Sequence, residues 1–191
     1  MSNHLLNAIT QDHRVVYDLR DHYVSAQQKP HPRSHHDAEL PAYKLMWEIV
    51  RHVSTEEALL HPLYVKYLGE DIGSKMARFD RLDHSEIKRE LLRILHMPES
   101  LGPGTMEFEN ALEKVVGDLR RHNDSEEASD IPTLEKKMEP ADAHGVARAI
   151  EEAKNFFVPK RFVVAHTRER VLERFWTDLN EAQKEKSIGT C

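Results

Sequence analysis

The stretch His52-Val53-Ser54-Thr55-Glu56-Glu57-Ala58 is written again seventy residues later as His122-Asn123-Asp124-Ser125-Glu126-Glu127-Ala128. Each copy is preceded by an arginine and followed, ten residues after its histidine, by a proline, Pro62 and Pro132; each has a carboxylate four residues before the histidine, Glu48 and Asp118. Asp-His pairs stand upstream of both, Asp12-His13 and Asp83-His84. On an α-helix, residues four apart lie about 40° apart around the axis and about 6 Å along it, so His52 with Glu56, and His122 with Glu126, each project as one donor pair. One histidine from each of two further helices would give a bundle interior four imidazoles and two carboxylates. That set is enough to hold two metal ions bridged by the glutamates. The alternative is six polar residues on solvated helix faces, which two matched copies make the weaker reading.

These residues resemble the haemerythrin-like family, the HHE cation-binding domains, whose pattern is a lone His, His-x-x-x-Glu, a lone His and His-x-x-x-Glu on four successive helices. His13, His52 with Glu56, His84, and His122 with Glu126 fill it over roughly residues 4–138. The resemblance implies an all-α, up-down-up-down four-helix bundle. It also implies two iron ions as cofactor, a non-haem di-iron centre with an oxo or hydroxo bridge that binds dioxygen or a related small ligand. Oxygen-carrying haemerythrins have a second histidine four residues after the lone histidine of the third helix, and here that position is Lys88. A charged ammonium has no lone pair to give a metal, so Lys88 is expected to turn outward or snorkel. Glu57, Glu127 and Glu48 are then the nearest candidates for a further ligand.

The remaining polar residues have plainer expectations. Glu48 and Asp118, one turn before their histidines, are candidates to accept the second ring N–H of a ligating histidine, or else face solvent. Glu57 and Glu127 lie about 140° round the helix from His52 and His122, which argues against a bridging role for both. His61, about 180° from His52, reads as a surface or kink residue. Tyr17 shares the face of His13.

Composition sets the frame. With 191 residues the chain suits one domain with a real core. A net charge of -6 gives no reason to expect nucleic acid or an anionic membrane as partner. The single cysteine, Cys191, allows no disulfide framework and no thiolate cage, so a metal would be held by nitrogen and oxygen. No apolar run nears the ~20 residues of a membrane span, and the expectation is a soluble, cytoplasmic protein.

Apolar residues at three- and four-residue steps predict the elements that must carry the donors. The first helix is expected over about His4–Ala26 and the second over about Ala38–Leu60, with Pro62 marking a kink or an end. Between them lies a polar, proline-broken loop with His31, His35 and His36. The third is expected over about Ile72–Leu95, and the fourth runs from an N-cap at Thr105 to about Asp130. Residues 1–138 form the expected bundle, and residues 139–191 an additional C-terminal helical extension. In that extension Ala143–Phe157 reads as helical, Val158–Phe162 as extended and Thr167–Lys186 as amphipathic. Three functions fit: a di-iron protein that binds dioxygen for sensing, storage or iron sequestration; a di-iron oxidase or oxygenase acting on a small organic substrate, peroxide or nitric oxide; or an interaction module with a vestigial or zinc-filled site.

Overall fold

A computed structural model describes the backbone of residues 4–28 and 36–156; the side chains described are those of 4–28 and 39–153. Helix α1 is His4–Gln27 and α2 is His36–Leu95. A 3₁₀ turn, Glu99–Leu101, leads to α3, Met106–Ser125. A π-helical turn, Glu126–Asp130, joins α3 to α4, Ile131–Glu135, and α5 is Pro140–Phe156. No strand occurs among the described residues, and no helix there is long and apolar enough to cross a membrane.

The 60-residue α2 is two antiparallel bundle members joined at Gly69, where φ is 78° and ψ 170°. Glycine takes that conformation without the Cβ clash that other residues meet. Pro62 therefore neither ends nor breaks the helix as expected. Its ring deprives the Ala58 carbonyl of a partner, but Leu60 and Tyr64 on either side of it are fully buried, and that apolar burial outweighs one lost hydrogen bond. The chain turns back so tightly that a Cβ on Gly73 would fall on the Tyr64 carbonyl and 2.7 Å from the Val65 nitrogen.

With residues 36–68 and 70–95 taken as separate arms, α1, the two arms and α3 with its continuation form the four-helix bundle. Thr105 caps α3 as expected, its hydroxyl accepting from the Phe108 N–H at 3.4 Å. The fourth helix differs from expectation after Ser125, where the Ile131 N–H reaches back five residues to the Glu126 carbonyl. Pro132 then falls in the first turn of α4, where its missing N–H costs nothing. Helix α5 packs against α1 and α2. The expected elements beyond Phe157, and the loop histidines His31 and His35, lie outside the described residues.

The core is split into two apolar layers. One contains Val16, Tyr23, Leu45, Ile49, Leu91, Leu112 and Leu119; the other contains Leu5, Ile9, Leu60, Tyr64, Ile131, Leu134 and Ile150. Along every bundle helix the break between layers falls at the same level: residues 12 and 13 on α1, 52 to 56 and 80 to 84 on the two arms, 122 to 125 at the end of α3 with Glu126 at the start of the π turn. The predicted donors thus occupy one polar stratum, closed above and below by hydrocarbon.

Candidate metal centre

All six predicted donors meet in that stratum. His13, His52, Glu56, His84 and Glu126 are no more than 1 % exposed, and His122 is 9 % exposed. Glu56 lies 3.5 Å from His13 Nε2, 3.4 Å from His52 Nε2 and 3.4 Å from His84 Nε2. Glu126 lies 3.6 Å from the Nε2 atoms of both His13 and His122. The Nε2 atoms of His84 and His122 are 2.9 Å apart. Two donors each about 2.1 Å from one ion and at right angles to each other sit about 3 Å apart, so this spacing is that of two ligands on a shared cation.

The opposite face of each imidazole meets a carboxylate. His52 Nδ1–H donates to Asp12 at 2.9 Å, and His13 Nδ1–H donates to Glu127 at 2.6 Å. His122 Nδ1 lies 3.4 Å from Asp83, and His84 Nδ1 lies 3.3 Å from Glu57. A proton held on Nδ1 leaves the Nε2 lone pair facing inward, the tautomer a metal needs. Glu48 and Asp118, candidates for this supporting role, do not fill it. Glu48 instead accepts from Arg51 at 2.7 Å, and Asp118 pairs with Lys114 and Arg121 on the surface. The signal was present in the two Asp-His pairs, since each aspartate that precedes a lone histidine reaches across to the next helix's ligand.

Two further corrections concern residues expected at the surface. Lys88 is 4 % exposed and places its ammonium 2.8 Å from both carboxylate oxygens of Glu57. His61 is also 4 % exposed and is bonded to Asp80. Asp80 itself was missed. Its Oδ1 lies 3.1 Å from His122 Nε2 and 3.4 Å from His84 Nε2, and four residues separate it from His84. Tyr17, on the face of His13 as expected, is half-buried and accepts from Asn123 at 3.0 Å.

Several donor atoms have no hydrogen-bond partner although fully buried: Nε2 of His13 and His52, both carboxylate oxygens of Glu56 and of Glu126, and Oδ1 of Asp80. Polar atoms sealed in an apolar interior without partners are costly, and these converge on one place. A metal-free centre must resolve that cost with protons. Burial alone would push the His13 pKa down, yet Glu126 and Glu56 beside it raise it to about 10. Burial opposes the charged form of His84 too, but Asp80 and the glutamates carry its pKa well above the ordinary value. Burial, aided by the Glu56 charge, pushes Glu126 up to about 7, while Glu56, facing three imidazoles, falls well below the carboxylate range despite its own burial. The nitrogen and oxygen donors fit metal cations. Grouped by proximity they fall into overlapping triplets, among them His13, His52 and Glu56, and Asp80, His122 and Glu126.

Comparison with known proteins agrees with this geometry. Residues 4–157 match the Hemerythrin HHE cation binding domain. An uncharacterized hemerythrin-like protein of Schizosaccharomyces pombe is 31% identical over 150 residues, covering 78% of this chain and 68% of the relative. No solved structure matches. The donor pattern, the bundle and the match over residues 4–157 lead to one conclusion: the chain belongs to the hemerythrin HHE cation-binding domain family.

Proposed function

We propose that this chain is a non-haem di-iron protein in which His13, His52, Glu56, His84, His122 and Glu126 hold two iron ions. It binds dioxygen or a related small ligand there, for oxygen or redox sensing, storage or iron sequestration. The observation that carries the reading is the orientation of the four imidazoles: every Nε2 faces the centre, and every Nδ1 faces a carboxylate behind it. Iron held by imidazole and carboxylate supplies a redox-active centre open to a small ligand. Glu56 faces histidines of both halves of the chain, as does Glu126, which is the placement a bridging carboxylate requires. The two apolar layers cover the stratum on both sides along the bundle axis.

Elemental analysis tests it. The expected result is two irons per chain, with Glu56→Ala combined with Glu126→Ala abolishing the pair and leaving a helical protein. A stoichiometry of one that these changes leave untouched overturns the dinuclear reading.

A second reading, oxidative chemistry on a small substrate, gains support from Asp80, a third buried carboxylate facing the donors. Carboxylate favours the ferric state, so the protein is expected to oxidise irreversibly more readily than it releases intact dioxygen. Reversible uptake and release of dioxygen over many cycles would exclude that reading.

A further inference from the structure

When the two halves of the donor pattern are laid over each other, two buried positions beside the donors differ in kind. One turn before the lone histidine of the first half stands Ile9, fully buried; at the equivalent place in the second half stands Asp80. Nine residues after His122 stands Ile131, also fully buried; nine residues after His52 stands His61. Two buried apolar positions, one in each half, are therefore answered at their equivalents in the opposite half by an aspartate and a histidine, and those two polar residues are bonded to each other.

Their arrangement is directional. Arg81 Nη2 donates to His61 Nδ1 at 3.2 Å, and because a guanidinium only donates, that nitrogen is the acceptor. His61 Nε2–H is then left to donate to Asp80 Oδ2. With Oδ2 so held, Asp80 turns its other oxygen inward, where it is buried, has no hydrogen-bond partner and lies 3.1 Å and 3.4 Å from the Nε2 atoms of His122 and His84. Here one oxygen is anchored and the other is presented to two inward-facing imidazoles.

We propose that Asp80 is a seventh protein donor, anionic, to the ion held by His84 and His122, and that His61 is the positioning residue that fixes it. The proposal rests on the di-iron reading above and adds an inequality to it. The His84/His122 ion has two imidazoles and a carboxylate of its own besides the shared glutamates, whereas at the corresponding places the His13/His52 ion has Ile9 and Ile131. The two ions therefore differ in charge environment and in affinity.

The test uses the full chain loaded anaerobically with ferrous ⁵⁷Fe. Elemental analysis and chelator competition give the number and affinity of the ions, and Mössbauer spectroscopy their equivalence. Wild type is expected to hold two irons giving two doublets of equal area. Asp80→Asn should weaken one ion at least about tenfold and leave the other within about twofold. His61→Leu should weaken the same ion about tenfold, the usual scale for losing an outer hydrogen bond to a ligand, and His61→Gln, which still donates, should restore it. A purely structural role for His61 would instead lower both affinities together with the melting temperature. Two equally tight ions in Asp80→Asn, or a single doublet in wild type, would overturn this assignment while leaving the di-iron reading intact. Fewer than two irons in wild type would overturn both.

Discussion

Lys88 lies inside the bundle with its ammonium 2.8 Å from each carboxylate oxygen of Glu57, and Glu57 in turn faces His84 Nδ1. A cation is thus linked through one carboxylate to a predicted ligand. Burial would raise the Glu57 pKa, but His84 and Lys88 bring it down to about 2. Lys88→Met leaves that carboxylate without its cation and should cost on the order of 2–3 kcal/mol, below the range for a fully sealed pair because Glu57 keeps some solvent contact. Adding Glu57→Gln should recover most of it. A depressed carboxylate stabilises above its unfolded pKa and ceases to as pH falls through the folded value. Urea titrations of wild type and Lys88→Met should therefore converge as pH drops from about 4.5 to about 2.

The metal-free protein should lose stability as pH rises. His13 has its folded pKa raised to about 10, so the stability it contributes is full below its ordinary value of 6.5 and lost as pH climbs through 10. Glu126, raised to about 7, binds a proton in the folded state that the unfolded chain has released, and the same sign follows between its ordinary value of 4.5 and 7. Both groups act in one direction. Calorimetry of iron-free protein should give a melting temperature falling steadily from pH 5 to pH 9. Iron-loaded protein should melt higher, with the gap widening towards high pH; coincident curves would contradict the site.

Asp12 supports His52, whereas Asp118 supports nothing in the stratum. Asp12→Asn and Asp83→Asn should each lower iron affinity about 10- to 100-fold in chelator competition. Asp118→Asn, on the surface, should leave it unchanged. The opposite ranking would restore the residues one turn before the histidines to the supporting role.

Two glycines at the turn of α2 should respond differently to alanine. Gly69 has a positive φ but open space around the missing Cβ, so Gly69→Ala should cost about 1 kcal/mol. At Gly73 the new methyl would meet the Tyr64 and Val65 backbone, which cannot rotate aside, and the cost should be about 3 kcal/mol or more. Paired denaturant unfolding curves read the difference directly.

The convergence of the six histidine and glutamate side chains and the four main helices were legible because helical period and a repeated motif both leave marks along one strand of text. What was hidden depends on a second helix. Glu48 shares a face with His52, but its carboxylate is taken by Arg51, one turn along the same helix. The true partner, Asp12, comes from α1. Lys88 and His61 look solvent-bound on their own helix and are buried because Glu57 and Asp80 arrive from the facing arm. The π turn after Ser125 leaves no trace either, since Thr-Glu-Glu-Ala and Ser-Glu-Glu-Ala read alike while only the second widens.

The four carboxylates behind the imidazoles also divide by origin. Asp12 backs His52, and Asp83 backs His122, each within its own half of the chain; Glu127 backs His13, and Glu57 backs His84, each across the divide. The centre thus has an approximate dyad, and half of its buttresses belong to the other side. Neither half can orient both of its own histidines alone. Cation binding is in consequence a report on long-range assembly: a chain whose halves fold but fail to dock would be helical by every local measure and yet unable to hold a metal.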